Sequence, residues 1–372
     1  MTTTTIKIDP AEPQAAAMEQ AAEVIEAGGL VAFPTETVYG IACKAAKDSL
    51  ARLDDTKGRA SGKHYTLHIA HKTDVHKYVP EIGLRAHRLI RKCWPGPLTM
   101  VFELDAHASE HQHKFLGDDL FSALYHDNSI GVRCPSNAVA AALLTQASTP
   151  IVAPSANVSD AEPALDAEAV LAQLDGRIDM VLDGGPCTLG QSSTVVKLGS
   201  KGLEVLREGA FSTPDIEQLA RVQFMFVCTG NSCRSPMAEG LFRKYLAQKL
   251  NCPVDQLQAM GYKVLSAGTL GIDGLPASAE SVVACAARGV DISSHGSRGL
   301  SADLIEDSDL IFAMERNHAD RVINMCPEAA DRCSLLAPTG ISDPIGQPQA
   351  VYDMCADQID RAVEKIVSEL GL

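Results

Sequence analysis

From residue 223 onward the chain repeats one pattern: a short apolar run, a loop, then a stretch of helical period. The apolar runs fall at 223–227, 262–266, 309–314 and 334–336, and the helical stretches at 236–250, 277–288, about 317–325 and about 350–370. Short strands alternating with helices predict a doubly wound parallel sheet with helices on both faces, and ligands then bind beyond the carboxyl ends of the strands. No other feature of the sequence restricts the fold as tightly.

The preceding half is less regular. Residues 10–29 carry an Ala/Glu/Met/Ile pattern of helical period that stops at Gly28-Gly29, and Leu30-Val31-Ala32-Phe33 then reads as a strand. Further strands are expected at 66–69, 129–132, 150–154, 180–183 and 193–198, separated by helical stretches, which predicts a mixed α/β domain. The segment 212–219, with Pro214 in its first turn, reads as a capped closing helix. The expected domains are therefore 1–220 and 221–372, both α/β. The acidic stretch 105–127, which carries His111 and His113, has little periodicity and reads as a surface excursion without metal-ligand spacing.

A chain of 372 residues, 46% hydrophobic and 21% charged, has enough length to bury two cores, which excludes a peptide hormone or a lone small module. No apolar run approaches the ~18–20 residues that cross a bilayer, and the first residues lack the basic-then-apolar order of a secretory signal. The eleven cysteines are scattered without a Cys-x-x-Cys pair, so a reducing cytoplasm is expected. Both halves are net acidic within a total charge of −15, so any contact with nucleic acid would need a local basic patch.

The most specific signal is Cys228-Thr229-Gly230-Asn231-Ser232-Cys233-Arg234-Ser235-Pro236, directly after a strand and directly before a helix. The amides of such a loop, with the amino end of the helix, make a concavity that attracts a dianion. The Arg234 guanidinium can grip two phosphate oxygens as a fork. The same positive field should lower a thiol pKa from about 8.5 into the ~3.5–7.5 range of activated cysteines. On this reading Cys228 is a thiolate aimed at phosphorus.

Here the sequence resembles the low-molecular-weight protein tyrosine phosphatase family, from about residue 223 to 372. The loop motif matches at Cys228, Gly230, Asn231, Cys233, Arg234, Ser235 and Pro236, and Asp343-Pro344 stands where the family keeps its general acid. Ser266-Ala267-Gly268 and Ser297-Arg298 are lesser matches. The resemblance implies a two-step displacement in which Cys228 takes the phosphoryl group while Asp343 protonates the leaving atom and then activates water. It also implies that Arg234 and the loop from Thr229 to Ser235 hold the anion, that Ser235 hydrogen-bonds the thiolate, that Asn231 braces the loop, and that no metal or other cofactor takes part. Cys233 reads in two ways: as the partner of Cys228 in a reversible disulfide, or as a small buried residue. Tyrosine-directed members carry Ile where this chain has Ser232, and aromatic residues where it has Ile345-Gly346. Phosphoarginine-directed members are closer, so phosphoarginine on a protein is the expected substrate, with phosphotyrosine next.

In the first half the ordered motifs are Pro34-Thr35-Glu36-Thr37-Val38-Tyr39-Gly40, Lys57-Gly58-Arg59, Trp94-Pro95-Gly96-Pro97-Leu98-Thr99, Gly131-Val132-Arg133, Ala153-Pro154-Ser155-Ala156-Asn157, Ser193-Thr194 and Leu206-Arg207. Taken together they resemble the YrdC-like threonylcarbamoyl-AMP synthase family, over roughly 13–220. That family joins L-threonine, bicarbonate and ATP to give threonylcarbamoyl-AMP and pyrophosphate, and other proteins use the product to modify tRNA. Such a reaction needs cations to balance triphosphate and carbamate charge, and hydroxyls to orient the amino acid. The resemblance implies that Lys57, Arg59, Arg133 and Arg207 face the nucleotide, with Thr99 and Ser155 beside them and Asn157 supporting Ser155. It implies that Thr35, His68, Ser193 and the backbone at Ala153 face threonine, and that a magnesium ion escorts ATP. Departures are Ala60 after Lys-x-Arg, Ser192 before the late Ser-Thr, and the 61–65 approach to the His68 strand.

By itself, His68 on an apolar strand reads as a satisfied core histidine, Trp94 as a packing anchor, and the cysteines other than Cys228 and Cys233 as small buried hydrophobes. The expected function is a bifunctional enzyme, synthase followed by phosphatase. The alternative is a first half that binds RNA or regulates without turnover, as an arm of the phosphatase.

Overall fold

The computed structural model describes residues 2–59, 64–199 and 202–371, and these form two compact units, one of Met1–Ile82 and Leu89–Leu219, the other of Gly83–Arg88 and Ala220–Leu372. Ala60 and residues 61–63, where the Lys-x-Arg motif departs from its relatives, lie outside the described residues. Among the described residues no helix is long and apolar enough to cross a membrane.

The first unit is built on ten described strands in the order Thr4–Lys7, Met180–Asp183, Val31–Phe33, Gly40–Lys44, Ile151–Val152, Thr66–His68, Ser129–Arg133, Leu98–Glu103, Thr194–Gly199 and Gly202–Arg207. Parallel and antiparallel pairs mix, as expected of this half. Apolar side chains of Val31, Phe33, Ala42, Ile151 and Leu182 pack against the helices Ala15–Glu26 and Ala138–Gln146. The first helix stops where the sequence says it should, with Gly28 at φ 86°, a conformation glycine adopts at little cost. Trp94 is buried and donates its indole N–H to the Leu98 carbonyl at 2.7 Å.

The stretch 105–127 is mostly exposed, as expected of a surface excursion, but its expected lack of regular structure needs correction. The stretch 105–127 contains two helices, Ala106–Leu116 and Asp118–Leu124, separated by Gly117 at φ 80°. Asp105 caps the first by accepting the Ala108 amide at 2.7 Å, and Asp118 and Asp119 supply negative charge to the first turn of the second. End signals therefore outweigh weak periodicity.

The second unit is a four-stranded parallel sheet in the order Tyr262–Gly268, Val222–Cys228, Leu310–Ala313, Cys333–Leu335. Every residue of Val222–Cys228 is buried, as a strand covered on both faces requires. Its alternate side chains serve two cores: Phe224, Phe226 and Cys228 face the helices Arg234–Lys249 and Gln349–Glu369, while Met225 and Val227 pack with Ile305 and Val322 on the other side. This is the doubly wound sheet read from the sequence, and it delivers Cys228 to the carboxyl end of a central strand.

Candidate functional site

Two constellations stand out, one in each unit. In the first, a cleft of about 470 Å3 opens over the sheet. Strand register places His68, Arg133 and Thr99 side by side, because His68 pairs with Arg133 and Arg133 with Thr99 across adjacent strands, and paired residues share a face. Arg207 reaches the same cleft from a neighbouring strand, donating to the Ser193 carbonyl at 2.8 Å and to its hydroxyl at 3.3 Å, while Thr99 and Ser193 share a hydrogen bond of 2.9 Å.

Lys57 is the last residue of the helix Lys47–Lys57, which Gly58 ends in the left-handed conformation. Its buried ammonium donates to the carbonyls of Ser155 and of Asn157, the latter at 2.6 Å. Burial, and then the charge of Arg59, push its pKa down to about 8. Arg59 is held by the His64 carbonyl at 2.8 Å and lies over the Tyr65 ring at 4.7 Å. The Asn157 amide clamps the following turn through the carbonyls of Val158 and Ala161 at 2.7 and 2.8 Å.

His68 is buried, and burial followed by the Arg133 charge lowers its pKa to about 3, so the imidazole is neutral at physiological pH. Its Nδ1 lies 3.1 Å from the Thr66 carbonyl, which can only accept, so Nδ1 carries the proton and Nε2 is the acceptor.

In the second unit the sulfur of Cys228 sits 2.9 Å from the Ser235 hydroxyl and accepts the Asn231 amide at 3.2 Å. Asn231 holds the loop in shape. Its φ is 53°, its side-chain amide donates to the hydroxyls of Ser235 and Ser266, both at 2.8 Å, and its side-chain oxygen accepts the Arg298 amide at 2.7 Å. His295 donates to the Asn231 carbonyl at 2.8 Å. Among the described residues no backbone carbonyl accepts the amides of Gly230, Ser232, Cys233 or Arg234, which leaves these donors for an anion. Gly268 lies against this loop: a Cβ there would meet the Thr229 carbonyl at 2.9 Å and the Asn231 backbone nitrogen at 3.0 Å.

Arg234 is almost fully buried and forks between two carboxylates, donating to Glu315 at 2.6 Å and pairing with Asp343, with a further bond to the Ile341 carbonyl at 3.0 Å. His318 accepts the Glu315 amide at Nδ1, 3.2 Å, so its Nε2 carries the proton and donates to the Thr229 hydroxyl at 2.8 Å. The expected drop in the Cys228 pKa does not hold for this arrangement. Burial pushes the thiol up, against Ser235, Arg234 and the Asn231 amide, which pull it down. The Arg234 charge is answered by Glu315 and Asp343, so less of it acts on the sulfur.

Comparison with known proteins finds a family model for each half of the chain. The Sua5/YciO/YrdC family model, described as telomere recombination, matches residues 23–209, half of the chain, and that of low molecular weight phosphotyrosine protein phosphatase matches 223–371. The chain belongs to the Sua5/YciO/YrdC family. Behind that domain it carries a low-molecular-weight phosphatase domain. A threonylcarbamoyl-AMP synthase of Pyrococcus abyssi is 32% identical over 228 residues, 60% of this chain and 64% of that protein. One of Bacillus subtilis is 33% identical over 207 residues, 55% of this chain and 56% of that protein. The chain thus spans less than two thirds of the length of these curated relatives. A low molecular weight protein tyrosine phosphatase of T. tengcongensis is 32% identical, with 40% of this chain and 99% of that one covered and a TM-score of 0.36.

In the Sua5/YrdC domain the cleft is lined by Lys57, Arg59, Thr99, Arg133, Ser155, Asn157 and Arg207 of the expected nucleotide set, and by His68, Ala153 and Ser193 of the expected threonine set. Thr35 does not line it. Its hydroxyl donates to the Val38 carbonyl at 2.7 Å and accepts the amides of Thr37 and Val38, so it braces the turn. The sequence reading missed Glu36, whose buried carboxylate accepts Arg133 at 2.8 Å and the Ser136 amide at 3.1 Å, orienting the guanidinium. Its place between two threonines in a strand-ending turn was the only available signal.

In the phosphatase domain Cys228, Arg234 and Asp343 come together as expected, and the missed residues are Glu315 and His318, which lie far along the chain. Cys233 is buried and unbridged, 3.5 Å from the Ser278 hydroxyl and 3.7 Å from that of Tyr352. Of the cysteines expected to be buried, Cys187, Cys252 and Cys333 are only half-buried.

Proposed function

We propose that the chain is a bifunctional enzyme. Its Sua5/YrdC domain joins L-threonine, bicarbonate and ATP into threonylcarbamoyl-AMP and pyrophosphate, and its second domain hydrolyses a phosphorylated protein side chain. The observation that carries the first activity is the convergence of Lys57, Arg59, Arg133 and Arg207 with the hydroxyls of Thr99, Ser155 and Ser193 around one cleft. Four cations balance triphosphate and carbamate charge, and carbonyl-anchored Lys57 holds its ammonium in a fixed place. Neutral His68, with Nε2 as acceptor, can take a hydrogen bond from the hydroxyl or amino group of threonine. A magnesium ion bound with the nucleotide would further neutralise the phosphates. The product would supply enzymes that transfer the threonylcarbamoyl group to tRNA, in the cytoplasm. Pyrophosphate release that requires both threonine and bicarbonate is the expected result. Nucleotide binding without release would instead favour a binding or regulatory module.

For the second domain the carrying observation is the contact of Cys228 sulfur with Ser235 beneath loop amides and Arg234. The sulfur attacks phosphorus, an S–P bond forms as the bond to the leaving atom breaks, and Asp343 gives that atom its proton. Water, deprotonated by Asp343, then releases phosphate and restores the thiolate. Phosphoarginine is the favoured substrate. Ser232 is half-buried and polar where a guanidino group would pass, and Ile345, exposed beside Asp343-Pro344, offers an aliphatic flank in place of an aromatic wall. Turnover of phosphoarginine should exceed that of phosphotyrosine, and Ser232→Ile should reverse the preference. The opposite order in the unaltered protein would make phosphotyrosine the substrate.

A further inference from the structure

We propose that Asp160 is a ligand for the divalent cation of a metal–nucleotide complex at the mouth of the Sua5/YrdC cleft, an assignment that rests on the nucleotide reading above. The cleft is lined by four basic side chains, Lys57, Arg59, Arg133 and Arg207, and Asp160 is the single carboxylate among the described residues that line it. It is exposed, and no described residue donates a hydrogen bond to it or pairs with its charge. The other charged groups of the cleft are held: Lys57 by two carbonyls, Arg59 by the His64 carbonyl, Arg133 by Glu36, Arg207 by Ser193.

Local structure ties Asp160 to the phosphate-side cations. The Ala161 amide donates to the Val158 carbonyl at 3.1 Å, closing a turn in which Asp160 is the third residue with φ 64°. Glycine, asparagine and aspartate all tolerate a positive φ at that position, so the turn admits the carboxylate without calling for it, and its place on the cleft is what points to a ligand. The turn is fixed by the Asn157 amide at both ends, and the Ser159 amide donates to the Lys57 carbonyl at 2.8 Å. Asp160 is thereby carried on the segment whose Ser155 and Asn157 carbonyls grip the Lys57 ammonium.

A bare carboxylate beside phosphate-binding cations repels the phosphate oxygens. A divalent ion between them reverses the sign, and magnesium is commonly held in this way, by one or two carboxylates together with substrate phosphates and water. The amino group of threonine is a less suitable partner, since His68 and Ser193 on the threonine side are both buried whereas Asp160 lies on the exposed lip.

The test is calorimetric titration of the whole 372-residue chain with ATP, in the presence of Mn2+ or of EDTA, for the unaltered chain, Asp160→Asn and Asp160→Gly. Both replacements tolerate a positive φ, and equal thermal midpoints would verify the fold. Mn2+ should tighten ATP binding to the unaltered protein, and both variants should lose about 10-fold or more of that gain. ATP in EDTA should bind the variants as tightly as the parent, or more tightly. The electron paramagnetic resonance of Mn2+ added with ATP should change with the Asn variant. An undiminished Mn2+ gain overturns the assignment, as does an equal loss in EDTA. Weakened threonine binding with the Mn2+ gain intact would make Asp160 an ammonium ligand and also overturn it. Failure of the unaltered protein to bind ATP under either condition would overturn the nucleotide reading itself.

Discussion

The two sites are built by opposite means. The phosphatase cradle is nearly contiguous: residues from Cys228 to Ser235 supply nucleophile, amides and guanidinium, while the proposed acid Asp343 and the supporting Glu315 and His318 arrive from afar. The Sua5/YrdC cleft draws on residues from Lys57 to Arg207, brought together by sheet register and by separate partners that hold each cation. A contiguous site concentrates its chemistry in one sulfur. A dispersed site shares its electrostatic task among several groups, so the loss of any one should be partial.

The largest effect tests that contrast directly. Cys228→Ser should lower phosphatase turnover by about 10⁴-fold or more, as expected for loss of a nucleophile, while pyrophosphate release by the first domain continues. Comparable turnover in the variant would remove the proposed mechanism. Next, Lys57→Met should cut threonine-dependent pyrophosphate release by about 10- to 100-fold, with Arg207→Ala adding a further loss, because each removes one stabilised charge among four. A total loss from either single change would mean that the cleft is as concentrated as the cradle.

A smaller effect concerns His68. Its folded pKa of about 3 lies below the ordinary 6.5, so the unfolded chain binds more protons between those values. Stability of the first domain should therefore be complete above about pH 6.5 and fall as pH drops toward 3, by about 2 kcal/mol at pH 5 from this residue. Urea unfolding at pH 7 and pH 5 should show the loss, and His68→Gln should reduce it. The smallest effect is at Ser235. Ser235→Ala removes a hydrogen bond to sulfur, raises the Cys228 pKa further and should slow its alkylation near pH 7 by about 5-fold. Unchanged alkylation would show that the hydroxyl does not stabilise the thiolate.

The same contrast explains what could be read before the structure. The phosphate loop was legible because its geometry is local: a strand, a loop of fixed length and a helix leave few ways to place Cys228 and Arg234. The second sheet was legible for a related reason, since strands buried on both faces are apolar throughout. Glu36, Glu315 and His318 were not legible, because each acts through a partner far away in sequence, and only register and packing make them neighbours. Thr35 marks the reverse case, where a motif residue is used to hold a turn. The Cys228 pKa shows a further limit, since the loop predicts the donors around the sulfur but not the carboxylates that engage Arg234. The helices in 105–127 were missed because the aspartates at their starts, Asp105 as a cap and Asp118 and Asp119 in a first turn, were read as part of an acidic surface stretch.

The fit of Gly268 beneath the phosphate loop has a practical meaning. The neighbouring strand serves as a mould for the bowl above it, so the grip on an anion can be adjusted from a position whose own amide is engaged by the Arg298 carbonyl. Adding one carbon there would press the mould upward and reshape the bowl, with sulfur, guanidinium and acid all still chemically intact.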